Sequence, residues 1–215
     1  WDGDFDRCFF FDENGDFVDN YYLIGLLSER LLANHPNSSI VHDPRLIWNT
    51  QEEVKKNSGV PMLSKAGHSF IKEVMRENNA IYGGEMSGHH YFRDFFYSDS
   101  GMIPWLLLLQ SISESGKKLS ELVSERVSKF PISGEINTTV ANPQQLLETI
   151  KSHYQQYDPA IDDLDGYSFD FKTWRFNLRM SNTEPLVRLN VESRENQKLM
   201  EDSTKEILGL IDQYK

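Results

Sequence analysis

The chain has few of the features that mark secreted, membrane-spanning or nucleic-acid-binding proteins. It contains one cysteine, Cys8, so an internal disulfide is excluded. The apolar run Pro104–Leu109 is too short to cross a bilayer and is followed at once by Gln110, so we expect a buried core helix there. No secretory leader, internal repeat or low-complexity tract is recognisable. We therefore expect a cytoplasmic protein with no membrane partner.

Positive charge is also scarce. The sequence has 22 Lys and Arg against 33 Asp and Glu, which gives a formal net charge of -11. Such a chain repels a phosphate backbone, so we expect no nucleic acid partner and a local cationic pocket for any anionic ligand. Hydrophobic residues at 39% and charged residues at 26% are typical of a globular protein. Its 215 residues allow one large domain or two ordinary ones.

The first residues form an acidic cluster with no methionine before it. Asp2, Asp4 and Asp6 alternate with other residues directly after Trp1. Neighbouring carboxylates repel one another and need a scaffold on both sides. We therefore expect a truncated or proteolysed chain.

Up to about Pro131 the patterns predict an α/β domain with a mixed sheet and flanking helices. An Asn-Gly turn between the apolar run 8–11 and the pair 17–18 favours a β-hairpin at the start. Strands and amphipathic helices then alternate, the first helix capped by Asp19. The strands are expected at 39–42 and 80–82, and the helices at 19–35, 68–79, 102–113 and 118–129.

Beyond Pro131 the pattern predicts a smaller α+β domain with an antiparallel sheet. Asn142 and Pro143 are typical of a helix start. Alternating aromatic residues predict strands over 167–171 and 174–178, and an apolar run predicts another over 186–191. A polar loop is expected over 158–166, and an amphipathic helix closes the chain.

The acidic cluster offers three hard oxygen ligands, which suit magnesium or calcium. An EF-hand is excluded, because Arg7 stands where that loop needs glycine. The alternative is a solvated acidic turn. Arg7 favours the metal interpretation, since a phosphoryl oxygen is readily bridged between a metal ion and a guanidinium group.

Two further segments offer ligand-binding chemistry. Glu85 and Ser87, in the glycine-rich segment 83–89, suit hydrogen bonding to adjacent sugar hydroxyls, although such a segment is commonly a simple turn. Arg179 and Arg188 flank a loop of neutral donors, which suits phosphate, although a polar turn with solvated arginines remains the alternative. The neutral donors are Ser181, Asn182 and Thr183.

Taken in order, these motifs resemble the α-D-phosphohexomutase superfamily. Residues 2–7 (DGDFDR) resemble its metal loop, residues 84–89 (GEMSGH) its sugar loop, and residues 179–183 (RMSNT) its phosphate loop. The stretches 40–45, 83–92 and 174–190 are especially similar to bacterial phosphomannomutases of surface-polysaccharide synthesis. Phosphoglucosamine mutases usually carry glutamine where Met86 stands.

The resemblance implies the C-terminal part of a four-domain enzyme. Residues 1–16 would end domain two, residues 17–130 would form domain three and residues 131–215 domain four. The missing N-terminal domains, with their phosphoserine, would be the partners of this chain, and the chain alone would be inactive. The reaction implied interconverts mannose 1-phosphate and mannose 6-phosphate through a hexose 1,6-bisphosphate, and supplies GDP-mannose synthesis.

The resemblance also implies a role for each candidate residue. Many relatives carry a lysine where Arg45 stands. Because arginine hardly deprotonates, we expect Arg45 to have an electrostatic role. His68 is then the better candidate for proton transfer. A glucose or glucosamine phosphate mutase and a non-catalytic sugar-phosphate or cation-binding module are the competing interpretations. The implied roles are Mg²⁺ ligation by Asp2, Asp4 and Asp6, transition-state charge stabilisation by Arg7, sugar binding by Glu85, Ser87 and His89, and phosphate binding by Arg179, Ser181, Asn182, Thr183 and Arg188.

Overall fold

A computed structural model describes residues 1–181 and 184–215, which form two compact units. The first unit comprises residues Trp1–Asp43 and Ile47–Val127, and the second comprises Pro44–Leu46 and Ser128–Lys215. In the part of the chain described, no helix is both long and apolar enough to cross a membrane.

The first unit contains a short hairpin and a five-stranded mixed sheet with helices on both faces. The sheet order is β4-β3-β5-β6-β7, with β3 parallel to β4 and β5 and the last three strands antiparallel. The strands are β1 (Phe10–Phe11), β2 (Phe17–Val18), β3 (Ser39–His42), β4 (Val60–Leu63), β5 (Tyr82–Gly84), β6 (His90–Phe92) and β7 (Ser98–Asp99). The helices are α1 (Asn20–Leu32), α2 (Trp48–Lys56), α3 (His68–Glu77), α4 (Met102–Ser115) and α5 (Leu119–Lys129), whose last residues pass the unit boundary.

Alternation along β3 explains this layering. Ile40 is buried with residues of α1, whereas its neighbour Val41 is buried with Ile71 and Met75 of α3. Successive side chains of a strand point to opposite faces, so the two helices cover the two faces of the sheet. Helix α1 begins where the Asp19 carboxylate accepts a 2.8 Å hydrogen bond from the Tyr21 amide, as its sequence predicts.

The second unit is an antiparallel five-stranded sheet, in the order β8-β12-β11-β10-β9, with two helices on one face. Leu178 and Leu189 face those helices, while their strand neighbours Arg179 and Arg188 lie on the other face. The elements are β8 (Ile136–Thr139), α6 (Pro143–Gln155), β9 (Ala160–Asp162), β10 (Tyr167–Asp170), β11 (Trp174–Met180), β12 (Leu186–Ser193) and α7 (Gln197–Ile211).

The predicted fold class, a mixed α/β domain followed by an antiparallel α+β domain, is confirmed. Three local predictions are wrong. The helix over Pro104–Leu109 is partly exposed rather than buried, since Leu106 is 55% exposed. The predicted loop 158–166 contains β9, and the strand predicted at 80–82 lies at Tyr82–Gly84 instead. Strands β4, β6, β7 and β8 and helix α2 were not predicted, because their apolar runs are too short to show a period.

Gly166 provides a test of the turn before β10. It has φ +72°, and a Cβ there would lie 2.4 Å from the Leu178 carbonyl oxygen. We expect Gly166→Ala to lower the free energy of unfolding of the second unit by about 2–4 kcal/mol. Alanine is strained at a positive φ, and its Cβ would also clash with the backbone. Gly134→Ala is the matched control, with φ +69° and no atom within 4 Å, and costs about 1–2 kcal/mol. Denaturant unfolding followed by amide exchange in β11 measures the free energy of unfolding of both variants. Equal losses for the two variants would contradict the predicted clash at Gly166.

Candidate functional site

In the acidic cluster at the start of the first unit, Arg7 fixes the carboxylate of Asp2. Its Nε donates to Asp2 Oδ2 at 2.6 Å and its backbone amide donates to Asp2 Oδ1 at 3.2 Å. Desolvation raises the pKa of Asp2, but the hydrogen bonds and charge of Arg7 lower it by more, to below its usual value. Oxygen atoms of Asp2, Asp4 and Asp6 lie within 4.8 Å of one another.

This arrangement fits a hard divalent cation. Desolvation raises the pKa of Asp6, the charge of His89 lowers it, and the charges of Asp4 and Asp2 raise it, with a net rise, so a bound cation would favour the ionised Asp6 carboxylate. Asp6 Oδ1 is buried without a hydrogen-bond partner among the described residues. Carboxylate oxygens are the ligands that hard cations such as magnesium and calcium prefer. Asp6 also forms a second possible cluster with His89 and Asp99, whose ligand atoms likewise lie within 4.8 Å of one another.

The loop between β5 and β6 presents Glu85, Ser87 and His89. Glu85 is buried and its Oε1 accepts a 2.7 Å hydrogen bond from the Tyr91 hydroxyl. The Ser87 hydroxyl lies 3.2 Å from Glu85 Oε2 and 3.0 Å from His89 Nδ1. Gly88 has φ +93°, which closes the loop back onto β6. Carboxylate, hydroxyl and imidazole therefore form one hydrogen-bonded row, which is suited to binding vicinal hydroxyl groups.

The acidic cluster and this loop are neighbours within the first unit. Arg7 and His89 form an isolated antiparallel bridge, and His89 Nε2 lies 3.6 Å from Asp6 Oδ2. The loop is also held by Asp43, whose Oδ2 accepts a 3.0 Å hydrogen bond from the Met86 amide. The fold thus brings together the metal and sugar motifs, which are about 80 residues apart in the sequence.

The second unit contains a cluster of arginines, which we define as Arg45, Arg179 and Arg188. Arg179 on β11 lies directly opposite Arg188 on β12, so both side chains share one face of the sheet. Glu135, just before β8, contacts all three guanidinium groups. Burial raises the pKa of Glu135, but the charges of Arg45, Arg179 and Arg188 lower it to below its ordinary value. The arginine cluster therefore contains an ionised carboxylate at neutral pH.

Arg45 is positioned by a buried pair on the same face of the sheet. Arg175, 2% exposed, donates from its Nη1 atom to Glu192 Oε1 at 2.9 Å, and Glu192 is fully buried. The same guanidinium donates to the carbonyl oxygens of Pro44 and Arg45 at 3.1 and 2.9 Å. The backbone that carries Arg45 is thus fixed to β11.

The remaining candidates are more scattered. His68 is exposed at the first residue of α3, in the first unit. Ser181 closes the β11–β12 loop through a 2.9 Å hydrogen bond from its amide to the Leu186 carbonyl oxygen. Asn182 and Thr183 lie outside the described residues. Four further residues each contact a predicted residue but carry no motif in the sequence: Tyr91, Asp99, Glu135 and Arg175.

Comparison with known proteins gives matches over nearly the whole chain. The family model described as phosphoglucomutase/phosphomannomutase, alpha/beta/alpha domain III, matches residues 19–130. The model described as phosphoglucomutase/phosphomannomutase, C-terminal domain, matches residues 135–209.

Similar curated proteins bear related names. A protein of Xanthomonas campestris pv. campestris named "Phosphohexose mutases" is 56% identical over 98% of this chain and 47% of its own length. A "Phosphomannomutase" of Salmonella montevideo is 56% identical over 98% of the chain and 46% of its own length. One from Escherichia coli K12 is 54% identical over 99% and 47% respectively. The chain spans about half the length of the curated relatives it matches.

Solved structures share the fold. A phosphoglucomutase/phosphomannomutase family protein from Burkholderia thailandensis aligns with a TM-score of 0.81 at 24% identity, over 99% of this chain and 46% of its own. An N-acetylglucosamine-phosphate mutase in a substrate complex aligns with a TM-score of 0.66 at 16% identity, over 98% and 48% respectively. These alignments cover both units.

Proposed function

The chain belongs to the phosphoglucomutase/phosphomannomutase family, and on that premise we propose that it is the substrate-binding part of a phosphomannomutase. The proposed reaction interconverts mannose 1-phosphate and mannose 6-phosphate, with a phosphoserine and a hexose 1,6-bisphosphate as intermediates. The observation that carries the proposal is the coexistence of the acidic cluster, the loop with Glu85 and His89, and the opposed pair Arg179 and Arg188, in the order of the family motifs. The complete activity is proposed for the complete gene product, and this chain alone is proposed to bind without turnover.

Asp2, Asp4 and Asp6 would hold the Mg²⁺ ion. When bound, such an ion neutralises charge on a phosphoryl oxygen. Arg7 is already fixed by Asp2 at 2.6 Å, so its guanidinium is held beside these oxygens for the same charge.

Glu85, Ser87 and His89 are proposed to hold the sugar. Tyr91 fixes one Glu85 oxygen, and the other accepts from the Ser87 hydroxyl at 3.2 Å. Because a carboxylate oxygen can accept two hydrogen bonds, this second oxygen would also accept from a sugar hydroxyl. This row orients the ring, which is the main contribution that a protein makes to phosphoryl transfer. His68 is proposed for proton transfer, since imidazole is the side chain most often used as a general acid or base.

Arg179 and Arg188, with Ser181, Asn182 and Thr183, are proposed to bind the non-reacting phosphate. Guanidinium forks match phosphate oxygens, and two opposed arginines concentrate the positive charge on a chain of net charge -11. Arg45 has an electrostatic role, because a guanidinium group does not act as a base.

Mannose is favoured over glucose by the relatives named phosphomannomutase at 54–56% identity. The test is calorimetric titration of this chain with mannose 6-phosphate and glucose 6-phosphate. We expect saturable binding of both, tighter for mannose 6-phosphate. Binding of free mannose with the same affinity as mannose 6-phosphate would contradict a phosphate-binding site. Turnover by this chain, purified free of host mutase, would contradict its proposed inactivity.

The metal assignment makes a prediction that separates the two clusters. Asp4→Asn removes a carboxylate of the proposed Mg²⁺ site, so we expect Mn²⁺, as a paramagnetic probe, to bind at least about tenfold more weakly. Asp99→Asn is the matched control. Its carboxylate belongs to the other cluster and already accepts a 2.9 Å hydrogen bond from Lys72, so we expect little change in Mn²⁺ affinity. Electron paramagnetic resonance titration measures the Mn²⁺ affinity of both variants. A larger loss for Asp99→Asn than for Asp4→Asn would contradict the assignment and indicate that the ion binds the cluster with His89.

A further inference from the structure

Glu135 has no role in the function described so far, yet it lies at the centre of the arginine cluster. It follows Gly134 and directly precedes β8, the strand that pairs with β12. Its Oε2 lies 3.1 Å from Arg45 Nη1 and 3.4 Å from Arg179 Nη2, and its Oε1 lies 3.1 Å from Arg188 Nη1. One carboxylate therefore contacts guanidinium groups from three separate segments.

The need for such a carboxylate follows from the strand register. Like charges directly opposite on neighbouring strands are unfavourable, and Arg179 faces Arg188 in this way. Arg45 adds a third cation, with a side chain only 5% exposed. Glu135 offsets one of these three charges, which leaves a net charge of about two positive units where the fold alone would place three.

The contacts of Glu135 are loose for charged groups. Distances of 3.1 to 3.4 Å exceed the roughly 2.7–2.9 Å that hydrogen bonds between guanidinium and carboxylate groups usually show. The Nε atoms of Arg179 and Arg188 are buried and have no hydrogen-bond partner among the described residues. A phosphate monoester offers three acceptor oxygens and a charge near -2, so it competes well for the same donors.

We propose that Glu135 is an internal counter-ion that competes with the phosphate group of the ligand for Arg45, Arg179 and Arg188, and so limits how tightly phosphate is held. This proposal rests on the proposed function, namely that the arginine cluster binds phosphate and that the reaction passes through a bisphosphate. An enzyme that must release and turn around a bisphosphate gains from a site that holds each phosphate only moderately. Glu135 would set that limit, since it returns to the guanidinium groups whenever the phosphate leaves.

Glu135→Gln tests this directly, because it removes the charge and keeps the size of the side chain. We expect mannose 6-phosphate, as the dianion at pH 8, to bind the 215-residue chain about tenfold more tightly. Mannose 6-sulfate, a monoanion, should gain only about threefold, since Coulomb energy scales with ligand charge and its logarithmic gain is half as large. Calorimetric titration at low ionic strength measures both ligands.

Glu201→Gln is the matched control, because it removes the same charge from an exposed residue of α7 that pairs with Gln197. We expect no change in either affinity. Glu135→Asp retains the charge on a shorter side chain and should bind with an affinity between those of the parent chain and Glu135→Gln; it replaces Glu135→Gln if circular dichroism shows that variant unfolded.

The outcomes separate this proposal from the one it rests on. Tighter binding with the larger gain for the phosphate supports the counter-ion role, as does binding by Glu135→Gln where the parent chain binds too weakly to measure. Weaker or unchanged binding by a folded variant overturns the counter-ion role while the phosphate site stands, and would make Glu135 an organiser of the arginines. No binding by any folded variant overturns both proposals.

Discussion

Replacing Arg179 by alanine is expected to lower kcat/KM for hexose phosphates at least about 100-fold in the complete gene product. Hydrogen bonds to charged groups contribute about 1.5–3 kcal/mol each, and a guanidinium fork forms two with one phosphate. The loss should fall mainly on KM, because a non-reacting phosphate is bound alike in the ground and transition states. Steady-state kinetics with mannose 1-phosphate measures the split.

Arg194→Ala is the control for that experiment. Arg194 lies in the same unit but donates from its Nε atom to the Lys172 carbonyl oxygen, at the opposite end of the β11–β12 pair. Its replacement should leave kcat/KM within about threefold of the parent, as expected for a surface residue. Equal losses of kcat/KM for the two variants would contradict a role of Arg179 in phosphate binding. Arg179→Lys separates charge from geometry, and we expect it to recover only part of the loss, because lysine lacks the fork.

The largest expected effect on stability comes from Arg175→Met. This change removes the Arg175 guanidinium from the fully buried Glu192 carboxylate and also removes the donor to the carbonyl oxygens of Pro44 and Arg45. Breaking one half of a buried ion pair costs about 3–5 kcal/mol. Amide exchange of β11 and β12 measures the free energy of unfolding of the second unit.

The double variant Arg175→Met with Glu192→Leu identifies the cause. This double variant also removes the buried charge of Glu192, so we expect it to recover part of the lost free energy of unfolding. The rest is not recovered, because the Arg175 donor to the two carbonyl oxygens is still missing. Lys198→Ala, which breaks an exposed pair with Asp202, should produce no measurable change. A double variant no more stable than Arg175→Met would show that the loop contacts, rather than the buried charge, account for the cost.

The sequence predicted the elements with long apolar periods or explicit caps. Asn142 accepts from the Gln145 amide at 3.1 Å and Pro143 opens α6, as their residue types favour. The alternation around Phe169 and Phe176 predicted β10 and β11 because one face of this sheet packs on helices. Short strands such as β8 carry no such period, and their pairing depends on long-range contacts.

The candidate site was predictable where a family motif names the residue, and not where a contact depends on the fold. Tyr91 orients Glu85 across the β5–β6 hairpin, and the sequence shows only an aromatic residue within a strand. Glu135 has no motif at all: its contacts with the arginine cluster arise because β8 pairs with β12. The residues that support and tune a site are therefore recognised from the structure, since no local pattern encodes them.

We propose that this chain provides the metal-binding loop, the sugar-binding loop and the phosphate-binding arginines of a phosphomannomutase. Phosphorus NMR of the complete gene product with mannose 1-phosphate, Mg²⁺ and catalytic hexose 1,6-bisphosphate tests it most directly. We expect the mannose 1-phosphate signal to be replaced by that of mannose 6-phosphate until equilibrium is reached, and faster than for glucose 1-phosphate. No conversion of mannose 1-phosphate by a folded protein that does convert another hexose phosphate would contradict the mannose assignment, and no conversion of any would contradict the mutase function.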